Sequence, residues 1–144
     1  MKSLIRKMAK GQGGFTLVEL LVVVAILGVI AAVAVLAVTK FIGKGTLEAA
    51  QTELHQAQTA ITAAMADART SVLNISGPTW WDGSENVIWA VGANTSHDAA
   101  EYVYGTFQGI YQVEPEGDIT DGQANLWGTG IQWSATEGGW EYVP

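Results

Sequence analysis

The sequence predicts an α+β fold in which one long N-terminal α-helix packs on a small antiparallel β-sheet head. Three observations lead to this prediction. The first 75 residues contain a long apolar run and then an amphipathic helical pattern, whereas the rest alternates short apolar runs with turns. The charge is also divided, because ten acidic residues and no basic residue follow Arg69. The chain is therefore predicted to have an acidic, β-rich head over residues 76–144.

The apolar run is long enough to cross a membrane. Leu20 to Val38 contains no charged residue, and the stretch from Phe15 to Val38 has 24 residues with only Glu19 interrupting it. At ~1.5 Å per residue this helix would be roughly 36 Å long, against about 30 Å for a hydrocarbon core. Residues 15–39 are therefore predicted to form a hydrophobic transmembrane helix.

Basic residues before the apolar run indicate its orientation. They are Lys2, Arg6, Lys7 and Lys10. The positive-inside rule keeps this basic segment in the cytoplasm and places the acidic head across the membrane. A secretory signal peptide has a shorter apolar core, of about 7–15 residues, so it is disfavoured. An uncleaved single-pass anchor stays open as an alternative.

Residues 40–75 are predicted to be the amphipathic second half of the same helix. The apolar residues of this segment recur at spacings of three and four: Leu47, Ala50, Leu54, Ala57, Ile61, Ala64, Met65 and Ala68. Glu53 is predicted to lie on another face, with the polar residues. We expect the helix to run from about Phe15 to about Val72. Gly43 and Gly45 are candidates for a bend or a melted turn.

Short apolar runs in the head predict its strands. The expected strands are Asn86–Val91, Tyr102–Phe107, Ile110–Val113, and a hairpin of Ile131–Ala135 with Trp140–Val143. Six tryptophans lie in this head: Trp80, Trp81, Trp89, Trp127, Trp133 and Trp140. Core packing and subunit contacts are the favoured roles for them, because the chain has no cysteine to make a disulfide. Sugar binding by exposed aromatic rings is the alternative.

The junction before the apolar run reads Gly14-Phe15-Thr16-Leu17-Val18-Glu19. This motif, behind a short basic leader, resembles the type IV pilin and pseudopilin family, and the resemblance covers about the first 45 residues. It implies that a membrane aspartyl peptidase removes residues 1–14 by cutting after Gly14. The new N-terminal residue, Phe15, would then be N-methylated by the same prepilin peptidase/methyltransferase.

The resemblance also implies that Glu19 guides assembly into a helical filament of identical subunits. An acidic residue inside a bilayer is costly and usually has a partner. The α-amino group that cleavage creates at Phe15 of one subunit would pair with Glu19 of its neighbour. The alternative is that Glu19 only complements the helix dipole in the first helical turn.

The predicted function is a structural subunit that polymerises into a type IV pilus for adhesion, motility or surface attachment. The major pseudopilin of a type II secretion system is one alternative, and a single-pass membrane-anchored carbohydrate-binding module is another. Expected partners are the membrane, assembly platform proteins and minor pilins. The chain would lie in the cytoplasmic membrane first, and then in an extracellular pilus or a periplasmic pseudopilus.

A calcium site is a further hypothesis. Glu114, Glu116, Asp118 and Asp121 fall within eight residues of a loop that contains glycine and proline. Calcium takes six to eight oxygen ligands from flexible loops, and the resemblance to major pseudopilins, which have calcium in C-terminal loops, supports this reading. A merely solvated acidic loop is the alternative.

Other functions are not supported by the sequence. His55 and His97 have no partner at metal-ligand spacing, and the sequence shows neither a phosphate-binding loop nor a zinc-protease or nucleophile-elbow motif. We therefore expect no enzymatic activity. Nucleic acid is not an expected partner, because residues 70–144 carry a charge of −10 and phosphate binding needs Lys and Arg.

Overall fold

One helix dominates the structure, a computed structural model that describes residues 14–128 and 130–143. Helix α1 spans Leu17–Ala68 without a break. The basic leader predicted from Lys2 to Lys10 lies outside the described residues. The described chain divides into two compact units between Thr39 and Lys40.

The helix ends four residues before the predicted Val72. Arg69 adopts a left-handed conformation with φ 54°. The amide of Arg69 donates to the carbonyl of Ala66 at 3.1 Å, and that of Thr70 donates to the carbonyl of Met65 at 3.0 Å. These two bonds are a Schellman motif, which satisfies the last carbonyls of a helix. The motif usually has glycine at the left-handed position. Because this position is Arg69, the sequence did not indicate where the helix ends.

The expectation of a melted turn at Gly43 or Gly45 is wrong, because α1 continues through both. The two glycines differ in their surroundings. A Cβ on Gly45 would meet nothing within 4 Å, whereas one on Gly43 would lie 2.6 Å from Cζ of Tyr142. Gly43 therefore lets an aromatic ring of the head lie against the helix backbone.

Seven short strands form the described part of the head, and the pairings between them are antiparallel. The strands are β1 (Thr79–Trp81), β2 (Trp89–Val91), β3 (Ser96–Asp98), β4 (Ile110–Val113), β5 (Ile119–Gln123), β6 (Ile131–Ser134) and β7 (Gly139–Tyr142). They make three small sheets, with the orders β1-β4-β5, β2-β3 and β6-β7. The α+β architecture of a long helix with small antiparallel sheets is confirmed, and the strands divide among three sheets rather than one.

The predicted strand Ile110–Val113 and the C-terminal hairpin are confirmed, and Asn86–Val91 is a strand only over its last three residues. The predicted strand Tyr102–Phe107 is wrong. A short 3-10 helix, Ala99–Tyr102, occupies its start, and the side chain of Asp98 caps that helix by accepting from the amide of Ala100 at 3.1 Å. The Asp98 side chain accepts a hydrogen bond from an amide of the 3-10 helix. In a strand, that amide would instead pair with a neighbouring strand.

The second half of α1 packs against the sheets of the head and contributes to their hydrophobic core. The residues of the predicted apolar stripe are buried or half-buried against the sheets. Above them, five rings stand edge to face in a continuous series, with centroids 5.4 to 6.0 Å apart: Trp81, Phe107, Tyr111, Trp140 and Trp133. Edge-to-face pairs add to the stabilisation from buried area.

Glu53 is buried in this core, with 8% of its surface exposed, which corrects its predicted place on a polar face. Its carboxylate accepts from the amides of Gln108 at 2.6 Å and Gly109 at 2.8 Å, and from the hydroxyl of Tyr111 at 2.9 Å. These three donors compensate for the loss of hydration. The helix is thus tied to the segment that enters β4.

Candidate functional site

The candidate processing site lies just before α1. Gly14, Phe15 and Thr16 precede the helix and are exposed, and Phe15 has 86% of its surface accessible. A Cβ built on Gly14 would meet nothing within 4 Å. The bond between Gly14 and Phe15 is therefore outside regular structure, and no described neighbour limits access to it.

Thr16 and Glu19 form a capping box at the start of α1. The amide of Thr16 donates to Oε2 of Glu19 at 2.9 Å, and its hydroxyl donates to the same oxygen at 3.0 Å. In return, the amide of Glu19 donates to the Thr16 hydroxyl at 3.2 Å. This reciprocal pattern satisfies amides that would otherwise lack a partner in the first turn of the helix.

The arrangement lets Glu19 cap the helix and still accept a hydrogen bond from another group. Both of its described bonds use Oε2, and a carboxylate has about four acceptor positions, so it can accept from a further donor. The capping bonds also fix the direction of the side chain near the exposed residue Phe15, and all these residues line one shallow depression with Gly14. A positively charged amine from another chain could therefore approach a carboxylate that is already oriented.

The capping role of Thr16 was missed in the sequence. The signal was present, since Thr16-Leu17-Val18-Glu19 matches the Ser/Thr-x-x-Glu/Gln signature of a capping box. Our two interpretations of Glu19 were assembly and dipole complementation. The hydrogen bonds make it a helix-capping residue as well, and its predicted role in assembly stays a prediction.

The apolar run in the first unit of the chain is exposed. From Leu17 to Val38, every residue of α1 is exposed. By length and composition, α1 is the one helix in the described part of the chain that could cross a membrane, and none of its most apolar stretch is buried. This is unlike the core helix of a soluble protein, whose apolar residues are covered.

The four carboxylates of the calcium hypothesis lie in and beside the turn between β4 and β5. Glu114 accepts from the hydroxyl of Thr120 at 3.0 Å, and Asp121 accepts from the amide of Gly122 at 2.7 Å. Glu116 and Asp118 are exposed. Within residues 14–128 and 130–143, no group of three or more acidic or histidine side chains is arranged to hold a metal ion. Calcium binding here stays a prediction without a preformed site.

Comparison with known proteins gives one family match and several relatives. The prokaryotic N-terminal methylation motif matches residues 9–35. The type IV major alpha-pilin of Moraxella bovis is 41% identical over 63 residues, which are 44% of this chain and 40% of that protein. The fimbrial protein Q of the same organism is 40% identical over 62 residues, 43% of this chain and 40% of that protein.

The third relative aligns over a longer stretch. The type IV major fimbrial protein FimA of Dichelobacter nodosus is 34% identical over 89 residues, which are 62% of this chain and 55% of that protein. The chain thus spans about half the length, or somewhat less, of the curated relatives that it matches. No solved structure matches the chain significantly.

Proposed function

We propose that this chain, which resembles type IV pilins in its N-terminal methylation motif and in the relatives that it matches, is the precursor of a structural subunit of a type IV pilus. One observation carries the proposal. An apolar helix that is exposed from Leu17 to Val38 has in its first turn a glutamate, Glu19, whose side chain is already oriented by its bonds to Thr16. Such a helix needs either lipid or other helices around it.

Before assembly, lipid would surround the apolar helix. The basic leader would stay in the cytoplasm, and the acidic head would lie on the other side of the membrane. Glu19 lies near the cytoplasmic end of the span, where a charge costs less than the ~2.5–3.5 kcal/mol of the bilayer centre. Its bonds to Thr16 lower this cost further, because they replace part of its hydration.

Cleavage after Gly14 would convert the amide of Phe15 into a positively charged amine. In the filament, this amine of one subunit would pair with Glu19 of the next. Lipid tails are as apolar as the helix, so transfer from lipid to a helix bundle gains little hydrophobic free energy. Close packing at small residues such as Gly28 would bring helices together, and the ion pair would set their register.

One variant, compared with a matched control, separates the charge of Glu19 from its capping bonds. Glu19→Gln keeps a side chain that can act in a capping box but removes the charge. We expect cells that make this variant to cleave the leader normally and to produce no sheared filaments. Glu116→Gln, which removes an exposed charge in the head, is the matched control and should leave filament yield unchanged. Wild-type filament yield from Glu19→Gln would contradict the proposed pairing.

Processing can be tested separately at Gly14. Because the space around Gly14 is open, Gly14→Val adds no clash within the described chain. We therefore expect this variant to insert and fold normally but to retain its leader when the peptidase is present, as judged from intact mass. Cleavage of Gly14→Val at the wild-type rate would show that the glycine is not what the peptidase reads.

A further inference from the structure

Large exposed side chains lie around the first residues of the second unit. The proposed pairing of Glu19 with a neighbouring subunit does not involve them. Phe41 has 79% of its surface exposed and Ile42 60%. Tyr142, from the end of β7, has 37% exposed. We refer to these three residues as the boundary belt, because Phe41 and Ile42 follow the apolar run by only a few residues.

Tyr142 is held at the same level of the helix as the other two residues. A Cβ on Gly43 would lie 2.6 Å from Cζ of the ring and 2.8 Å from its hydroxyl oxygen, so the ring rests on the helix backbone. The amide of Val143 donates to the carbonyl of Gly130 at 2.9 Å, which fixes the chain just beyond Tyr142. Since each residue rises ~1.5 Å, the belt occupies only a few ångströms along the axis.

The belt extends about 200° around the helix and does not form one narrow face. At 3.6 residues per turn, Phe41 and Gly43 point about 200° apart, so Phe41 and Tyr142 lie on nearly opposite sides. A second copy of the chain would dock on one continuous face, whereas a lipid interface surrounds a helix on all sides. Aromatic rings with a polar group, as in tyrosine, are enriched at that interface.

We propose that the boundary belt is an interfacial anchor, which holds the head against the outer headgroup region of a lipid bilayer before assembly. This inference rests on the proposed membrane-inserted precursor. The sequence supports it, because only two residues lie between Val38, the last residue of the predicted apolar run, and Phe41. A membrane span that ends near Val38 would therefore bring the belt to the headgroup region.

Charge also favours a contact through these side chains rather than through the head surface. Residues 70–144 carry −10, and an anionic lipid surface repels such a head. The exposed residue next to the belt on the helix is Lys44, which can extend its ammonium group to the headgroups. The anchor would thus fix the height of the head at the membrane surface.

The chain has no cysteine, so a single engineered cysteine reports on one position. We would place the full precursor in phosphatidylcholine vesicles at low protein density, with Val143→Cys carrying a polarity-sensitive fluorophore. Lipids with a nitroxide near the headgroup should quench this fluorophore strongly. Glu137→Cys, in the exposed turn at the other end of the β6-β7 hairpin, is the control and should keep its emission.

Two further measurements assign the cause. In the Val143→Cys background, Phe41→Ser or Tyr142→Ser should reduce quenching, whereas Tyr104→Ser, at a residue 94% exposed in another loop, should not. Quenching that is unchanged by both belt variants would overturn the proposal. Quenching that disappears when the chain is diluted further with nitroxide lipid would also overturn it, because the lipid contact at position 143 would then depend on a second copy.

A label at Ile26→Cys separates this inference from the proposed function. Quenching of that label by deeply placed nitroxide shows that the helix is inserted. An inserted helix with no quenching at position 143 would overturn the anchor alone. No quenching at position 26 would contradict the membrane-inserted precursor and the anchor together.

Discussion

Glu53 of the helix and Tyr111 of strand β4 are joined by a buried hydrogen bond of 2.9 Å, although 58 residues separate them in the sequence. The same hydroxyl accepts from the indole of Trp140 at 3.4 Å. Glu53 thereby connects the helix to two different sheets of the head. The Glu53 carboxylate has no described cationic partner. The free energy cost of burying it is therefore offset by the hydrogen-bond donors around it.

Glu53→Ala should destabilise the head strongly. It would leave the amides of Gln108 and Gly109 and the hydroxyl of Tyr111 without their acceptor, at a cost of about 3 kcal/mol. Urea unfolding of the chain in detergent micelles, followed by tryptophan emission, measures this loss. Glu48→Ala, at an exposed position on the same helix, should change the free energy of unfolding by less than about 0.5 kcal/mol. Equal effects of the two variants would show that Glu53 does not tie the head to the helix.

Two glycines in one helix should respond differently to alanine. Gly45→Ala meets open space and should stabilise the chain by about 1 kcal/mol, since glycine is a poor helix former. Gly43→Ala gains the same propensity but displaces the ring of Tyr142, so its net gain should be smaller or absent. Urea unfolding in micelles compares them. If Gly43→Ala stabilised the chain as much as Gly45→Ala, the close contact between Gly43 and Tyr142 would be wrong.

Thr16→Val should loosen the first turn of α1. The change removes the hydroxyl that accepts from Glu19 and donates to it, and the loss of such a cap costs about 1 kcal/mol. Amide hydrogen exchange of the precursor in micelles should be roughly 5-fold faster at Glu19, the equivalent of that free energy. Thr16→Ser keeps the hydroxyl and should exchange like the wild type. A protected Glu19 amide in Thr16→Val would contradict the capping box.

Tyr102 should make the chain sensitive to alkali. Its hydroxyl donates to Oδ2 of Asp67 at 2.6 Å, and this hydrogen bond is the main reason that its pKa is raised to about 12. Tyrosine in an unfolded chain loses its proton near pH 10. A folded pKa above the unfolded one gives stability that is complete below pH 10 and is lost as the pH rises towards 12.

The comparison variant is Tyr102→Phe. It should be less stable at neutral pH, and its free energy of unfolding should fall less steeply between pH 10 and pH 12. Some dependence should persist, because burial also raises the pKa of Tyr111. Tyr104→Phe, at an exposed residue, should keep the wild-type slope. An unchanged slope in Tyr102→Phe would argue against the bond to Asp67.

The sequence predicted those features of the fold that depend on periodicity. The helix and the hairpin of β6 with β7 follow from apolar residues at regular spacing. Strands β1, β3 and β5 were missed. Strands β3 and β5 have no apolar period because Ser96–Asp98 and Ile119–Gln123 are mostly polar and are paired through their backbones. Glu53 was misplaced because a carboxylate is usually exposed, although its spacing from the buried residues Ala50 and Ala57 puts it on their stripe.

The functional interpretation depended on a local motif. Roles for Gly14, Phe15 and Glu19 could be predicted from the sequence because the motif is continuous along the chain, and these roles stay predictions. Tyr142 could not be assigned to the boundary belt in advance, because only the folded hairpin brings it to Gly43. The tryptophans supply part of the core, since Trp81 and Trp140 are buried, and no described site favours the carbohydrate-binding alternative.

The most direct test of the account is the intact mass of this chain in filaments sheared from cells that produce it. The account predicts that the chain is abundant in the filaments, begins at Phe15, and carries one added methyl group at its N-terminus. A chain that is found only in membranes, with its leader retained from Met1, would contradict both processing and polymerisation.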